Sequence, residues 1–156
     1  MYGQEQTTRE VILEEYREDV EKLVKYLPWL QQKEAKDVSG YYEGDERHTL
    51  IQIPVYDSTL LAFVKEAEKT KFMDKNYPYV FTRYKIKSCA DERRLLEHAK
   101  IQDIDLFKGI LSKYVLEGKR KASCWRDAVG EKIFFTALAR LKELFFTYTA
   151  EDRGNI

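Results

Sequence analysis

Cysteine, histidine and glycine are scarce in this sequence, and their scarcity argues against several kinds of active site. The chain has two cysteines, neither in a Cys-X-X-Cys pair, and two histidines without the spacing of metal ligands. Its 7 glycines are scattered and form neither a phosphate-binding loop nor the nucleophile turn of a serine hydrolase. We therefore expect no metal and no cofactor, and the sequence favours a protein without enzymatic activity.

Long apolar runs and an excess of one charge are also missing. No stretch approaches the ~18 apolar residues of a membrane-spanning helix, and the N-terminus lacks a signal-peptide pattern. The 27 Lys and Arg residues equal the 27 Asp and Glu residues, whereas dedicated nucleic-acid binders are usually basic. These absences predict a cytoplasmic protein that contacts no membrane.

The sequence does contain enough apolar material for one folded domain. Of its 156 residues, 44% are hydrophobic and 35% are charged, which is typical of a globular protein. We interpret residues 1–150 as a single helical domain and residues 151–156 as a flexible C-terminal tail.

Apolar residues recur at helical spacing through most of the chain. The clearest stripe consists of Leu13, Tyr16, Val20, Leu23, Leu27 and Leu30. Pro28 is expected to break this helix and to open a short second turn. On its surface, the i,i+4 spacing favours ion pairs between Glu18 and Lys22 and between Glu21 and Lys25.

Capping residues mark the later helices. Asp57 or Ser58 is expected to cap one helix, and Asp103 another. The helix that follows Asp103 is predicted to end at Gly118, in the left-handed conformation that glycine favours. Ser123 then starts the next helix.

One segment is predicted to be extended rather than helical. Residues 49–56, TLIQIPVY, are rich in β-branched residues, and Pro54 restricts them to an extended strip or an edge strand. Residues 36–48 are polar and contain two glycines, which indicates a surface loop. Because no comparable second strand is evident, no sheet is expected. The fold class is therefore mainly all-α: a single compact, bundle-like domain of about six or seven helices with one extended segment near residues 49–56.

Several of these segments resemble an uncharacterised bacterial family of all-helical domains. That family has a P-V-Y-S sequence leading into a helix, a GERFCxG-type motif and a closing RLKEL helix. The matching positions here are Pro54, Val55, Tyr56, Phe63, Asp103, Gly118, Lys119, Arg120 and Arg140 to Leu144. The resemblance implies a bacterial protein with a helical fold, and it implies no activity.

The chain departs from the family pattern in two places. Lys121 and Ala122 replace the Phe-Cys pair of the motif, and a tryptophan-rich segment is reduced to NYPYVFTRY at residues 76–84. If the family motif forms a pocket, these departures imply that this chain has lost it.

The stretch EGKRKASCWRD, residues 117–127, concentrates the chemistry that the rest of the chain lacks. We interpret it first as the joint between two helices, with Trp125 anchored in the core. Its basic residues, its aromatic ring and the free amides of a helix start also favour an anion-binding surface or a small pocket. The candidate binding residues are Lys119, Arg120, Lys121, Ser123, Cys124, Trp125 and Arg126.

A cysteine-dependent enzyme using Cys124 is a further alternative. A helix N-terminus and nearby cations lower the pKa of a thiol, but such an enzyme also needs a base. His48 and His98 are the two histidines that could supply one, and nothing in their spacing connects either to Cys124.

These observations predict a non-catalytic cytosolic protein that acts through a surface or small pocket. The chain is rich in aromatic residues, with 11 Tyr, 8 Phe and 2 Trp. Tyrosine is favoured at protein interfaces, so a protein partner or a second copy of the chain is the expected partner. Weak binding of nucleic acid or another anion at residues 117–127 is the alternative.

Overall fold

A computed structural model describes residues 2–42 and 53–147, and its elements are almost all helical. They are α1 (Tyr2–Val24), α2 (Leu27–Gln32), α3 (Ala35–Val38), β1 (Ser39–Tyr42), β2 (Ile53–Tyr56), α4 (Ser58–Glu68), α5 (Tyr77–Arg83), α6 (Cys89–His98), α7 (Ile104–Glu117), α8 (Ala122–Gly130) and α9 (Ile133–Lys142). A 3-10 turn (Ile101–Asp103) precedes α7, and a π-turn (Glu143–Thr147) follows α9.

The mainly α-helical fold class is confirmed. Seven of the nine α-helices in the described ranges have seven or more residues, in line with the predicted six or seven. The predicted tail, residues 151–156, lies outside the described residues.

The helix boundaries follow local chemistry. α1 ends at Val24 and α2 begins at Leu27, so the break predicted from Pro28 is confirmed. Asp57 caps α4, because its Oδ1 accepts hydrogen bonds from the amides of Thr59 (2.7 Å) and Leu60 (3.3 Å).

Asp103 acts differently from the prediction. It occupies the position before α7, but its side chain makes no capping bond to that helix. Its Oδ2 instead accepts from the backbone amide of Lys100 at 2.9 Å. The carboxylate therefore closes the 3-10 turn, a turn that the sequence pattern did not indicate.

The prediction of a surface loop and of no sheet near residues 36–48 is wrong in part. α3 occupies residues 35–38, and β1 pairs antiparallel with β2 from Ser39 opposite Tyr56 to Tyr42 opposite Ile53. Whether two short strands pair depends on whether the fold brings them together. The four residues Ser-Gly-Tyr-Tyr have too weak a strand preference to predict this pairing. The predicted extended conformation is confirmed over residues 53–56. Residues 43–52, which include the rest of the predicted loop, lie outside the described residues.

The core is built around α7, whose inward side chains are almost fully buried. They are Ile104, Leu106, Phe107, Ile110, Leu111, Tyr114 and Val115. Phe134 of α9 packs edge-on against Phe63 of α4, with ring centroids 4.9 Å apart. These contacts fasten the helices into one hydrophobic cluster.

Lys132, between α8 and α9, connects distant parts of the chain. Its Nζ donates to the carbonyl oxygens of Leu30 (3.1 Å), Gln31 (3.0 Å) and Lys33 (2.7 Å). All three donors of the ammonium are thus directed at the C-terminal end of α2, where a positive charge is favourable. Lys132 itself has a φ of 61°, in the left-handed region.

Candidate functional site

The predicted 117–127 site forms a tight corner between α7 and α8. Gly118 has a φ of −60° and a ψ of −22°, so the predicted left-handed cap is wrong. The glycine is required for a different reason. A Cβ atom built on Gly118 would lie 2.0 Å from Nε1 of Trp125 and 2.1 Å from its Cδ1. The corner therefore depends on direct contact between an indole ring and a bare backbone.

Trp125 anchors the corner in the core. Its side chain is 7% exposed, and its Nε1 donates to the carbonyl of Val115 at 3.2 Å. Because the ring is buried against α7, its faces are not open to a nucleic-acid base. The joint predicted as the first interpretation of this stretch matches this geometry.

Cys124 lies beside Trp125 in a buried position, with 8% exposed. Burial raises the pKa of the Cys124 thiol, and the Glu117 carboxylate raises it further, whereas Lys121 and Lys113 lower it by less. The thiol is thus held in its unreactive protonated form.

Ser123 and the two histidines are the other polar residues considered for this corner. Ser123 is the second residue of α8, and no side chain caps this helix, so the predicted helix start at Ser123 is wrong by one residue. The exposed His98 is placed by its own helix, with Nδ1 2.9 Å from the carbonyl oxygen of Arg94. His48 lies outside the described residues.

The basic residues of the corner do not form one continuous cationic face. Lys119 Nζ makes an ion pair with Glu68 of α4 at 2.8 Å. Arg120, Lys121 and Arg126 are exposed. Arg126 borders a depression of about 470 Å³ that is also lined by Glu34, Ala35, Asp127, Gly130, Glu131 and Lys132. The predicted site residues thus divide between an ion pair, the core and a surface of mixed charge.

A second depression, between α1 and α4, was not predicted. Its volume is about 440 Å³, and we call it the lysine groove. Its lining residues are Asp19, Lys22, Tyr26, Ala62, Lys65, Glu66, Lys69 and Thr70.

Both carboxylates of the lysine groove are already occupied. Glu66 accepts from Lys25 Nζ at 3.0 Å and from Tyr26 Oη at 2.8 Å. Partial burial raises the pKa of Glu66, but these two bonds, together with the charges of Lys25 and Lys22, outweigh it and bring the pKa below its usual value. Burial, followed by the Glu66 bond, raises the pKa of Tyr26 to about 12. Asp19 Oδ2 accepts the backbone amide of Lys71 at 3.0 Å.

The three lysines of the groove are exposed, and their ammonium groups make no ion pair or hydrogen bond within the described ranges. Lys65 lies on α4, and Lys69 is the capping residue directly after it, still with right-handed dihedral angles. The two are four residues apart and so share a face, which Leu61, 44% exposed, extends by one turn. The groove therefore presents unpaired positive charge beside an exposed apolar side chain.

Of the three groove lysines, Lys22 was indicated by the sequence. The i,i+4 spacing predicted that Lys22 and Lys25 form ion pairs with Glu18 and Glu21 of the same helix. In the structure Lys25 instead pairs with Glu66, 41 residues away, and no ion pair forms at Lys22 within the described residues. A partner on another helix is set by packing, so spacing along one helix could not reveal it.

A buried polar cluster forms a third feature, centred on Glu92 of α6. Its side chain is 1% exposed, and its Oε1 accepts from Tyr114 Oη at 2.6 Å. Its Oε2 is buried without a hydrogen-bond partner, and Cys89 Sγ lies 3.6 Å from Tyr114 Oη. Sequence reasoning missed this residue, although Glu92 lies four positions before the buried Leu96 and hence on the inward face.

Comparisons with known proteins add no relative, because no family model, curated protein or solved structure matches the chain. The resemblance to an uncharacterised bacterial family therefore stays a prediction. None of the helices in the described ranges has the length and apolar character needed to cross a membrane.

Proposed function

We propose that this chain is a non-catalytic, cytosolic bacterial protein that binds an acidic segment of a protein partner in the lysine groove. One observation carries the proposal. Lys22, Lys65 and Lys69 line a depression whose own carboxylates, Asp19 and Glu66, are already hydrogen-bonded. The groove thus has an excess of positive charge, because its three ammonium groups face only the two carboxylates of Asp19 and Glu66.

An acidic peptide fits this arrangement electrostatically. Its carboxylates relieve the repulsion among the three ammonium groups, and each exposed ion pair contributes about 0.2–1 kcal/mol. Three such pairs give at most about 3 kcal/mol, so the complex needs additional apolar contact to be stable. Leu61 and Ala62 on α4 offer that contact, which favours a segment that combines acidic and apolar residues.

A nucleic acid fits the groove less well. Binding of single strands relies on aromatic rings that stack against the bases. The ring in the groove belongs to Tyr26, which packs edge-on against Phe63 at 5.2 Å and donates its hydroxyl to Glu66. Anion binding at residues 117–127 remains the alternative, with Arg120, Lys121 and Arg126 as the exposed cations that form no ion pair within the described part of the chain.

Fluorescence anisotropy with a labelled peptide of about ten residues, alternating Glu with Leu and Ala, tests the proposal. We expect saturable binding that weakens as NaCl is raised from about 50 to about 500 mM. Replacing all three groove lysines by glutamine (K22Q, K65Q and K69Q) should abolish it.

A matched control removes the same number of charges from the other candidate surface, through R120Q, K121Q and R126Q. The proposal requires this variant to bind like wild type. Equal loss in both variants would show nonspecific charge attraction, and loss in the control alone would move the site to residues 117–127. Stronger displacement by single-stranded RNA than by unlabelled peptide would favour the nucleic-acid alternative.

The lysines also have a purely structural explanation, since Lys65 lies in the last turn of α4, where cations offset the helix dipole. The urea-unfolding midpoint separates the two roles. If the triple glutamine variant loses stability and keeps binding, the lysines serve the helix and the proposed function is wrong.

A further inference from the structure

The carboxyl of Glu92 lies in a position where an ionised acid is poorly accommodated. One oxygen accepts the Tyr114 hydroxyl at 2.6 Å, but the other has no partner and the side chain is 1% exposed. A buried carboxylate oxygen without a hydrogen-bond partner costs several kcal/mol, whereas a protonated carboxyl costs much less.

The cations nearest to Glu92 are engaged elsewhere. Arg93 directs its Nη1 at the side chain of Glu131 (2.9 Å) and at the Glu131 carbonyl (3.0 Å). Lys113 of α7 places its Nζ over the rings of Phe81 and Tyr114, at 4.8 and 4.9 Å from their centroids. Both charges favour the carboxylate from a distance, and neither donates a hydrogen bond to it.

The remaining titratable neighbours, Cys89 and Glu131, do little to stabilise the ionised form of Glu92. Cys89, on the same face of α6, has a thiol whose pKa is raised by burial, so it stays neutral and offers at most a weak hydrogen bond. Glu131 carries a charge of the same sign. Burial dominates the balance and raises the pKa of Glu92 above its usual value, against the smaller lowering effects of Tyr114, Lys113, Cys89 and Arg93.

We propose that Glu92 and Tyr114 form a pH-sensitive latch between α6 and α7, which is most stable while Glu92 is protonated. Ionisation strengthens the bond from Tyr114 but leaves a buried charge with one unpartnered oxygen, and this cost favours opening of the latch. The ionised carboxyl gains by contact with water, which requires α6 to move away from α7. The half-buried Cys89 is the first residue of α6, and its Sγ lies 3.6 Å from Tyr114 Oη, so its thiol should become more accessible when the latch opens.

The direction of the pH effect follows from linkage. A carboxyl that holds its proton more tightly in the folded state contributes stability that is fully present below its unfolded pKa. That contribution is lost as pH rises through the higher folded pKa. Wild type should therefore lose stability with rising pH relative to E92Q, which keeps an acceptor for Tyr114 and cannot ionise.

Urea-unfolding midpoints of wild type and E92Q between about pH 4 and pH 9 test the latch. The difference between the two midpoints should widen with pH. Its full size should be roughly 0.5 M urea or more for each unit by which the pKa of Glu92 in the folded state exceeds its pKa in the unfolded state. Parallel midpoint profiles would overturn the proposal.

Alkylation of Cys89, followed by mass spectrometry, gives a local reading. Its rate should rise with pH more steeply in wild type than in E92Q, while Cys124 in the same molecules reacts slowly in both. Equal slopes at Cys89 would mean that its helix does not open. Should E92Q fail to fold, Y114F removes the hydrogen bond that Glu92 Oε1 accepts and must show a steeper loss of midpoint with pH than wild type. A Y114F profile parallel to wild type would then refute the latch.

Discussion

Replacing Gly118 by alanine isolates the contact on which the α7–α8 corner depends. Two effects oppose each other. Gly118 has ordinary right-handed dihedral angles, so alanine should stabilise the backbone by up to about 1 kcal/mol. Against this, the new Cβ would lie 2.0 Å from Nε1 of Trp125, whereas carbon and nitrogen atoms in contact are about 3.5–4 Å apart.

The steric effect should win. The indole must shift by about 1.5 Å to reach ordinary contact distance, and such overpacking costs about 1–3 kcal/mol. The shift also breaks the bond from Nε1 to the Val115 carbonyl, worth about 1 kcal/mol. The gain from alanine and the lost hydrogen bond roughly cancel, so we expect G118A to lower the free energy of unfolding by about 1–3 kcal/mol, or Tm by roughly 3–10 °C.

A double-mutant cycle with Trp125→Leu, measured by urea denaturation and circular dichroism, attributes the loss to this contact. In the W125L background the clash is removed, so G118A should be neutral or stabilising by up to about 1 kcal/mol. Arg120→Ala, an exposed change two residues away, should stay within about 0.5 kcal/mol of wild type. A G118A protein as stable as wild type would refute the packing argument.

Three further predictions test other parts of the structure. Lys132→Met should lower the free energy of unfolding by about 1–3 kcal/mol, because three carbonyls lose a charged donor. Lys132→Gly should cost less than K132M, because glycine also relieves the left-handed strain. Ser112→Ala should cost about 1–3 kcal/mol in thermal or urea unfolding, since the buried Ser112 hydroxyl donates to the Phe72 carbonyl at 2.9 Å and accepts the Asp74 amide at 2.8 Å. Cys124 should react with iodoacetamide at neutral pH more slowly than a free cysteine peptide, and equal rates would contradict its burial and raised pKa.

The fold could be predicted from the sequence wherever a structural feature depends on residues that are close together in the chain. The break at Pro28 and the cap at Asp57 depend on residues next to each other in the chain, and both are confirmed. Pairing of β1 with β2 could not be predicted, because it joins segments that have weak individual preferences.

The candidate sites show the same division between local and long-range contacts. Gly118 was correctly placed at a helix end for the wrong reason, because its partner Trp125 belongs to the next helix. The lysine groove depends on Lys22 and Lys65 approaching each other from two helices, and charge spacing within a single helix does not encode that. Glu92 was overlooked because its inward position becomes meaningful only when α7 supplies Tyr114.

Lys132 also has a consequence for the order in which the chain folds. The carbonyls it binds lie 99 to 102 residues earlier in the sequence. Closing a loop of that length in an unfolded chain costs about 4 kcal/mol in entropy. This cost exceeds the stabilisation of about 1–3 kcal/mol that we expect from the three bonds. The contact therefore forms late, after the intervening helices have shortened the loop. Replacing Lys132 should speed unfolding while leaving the folding rate nearly unchanged, which makes this side chain a determinant of how long the native state persists.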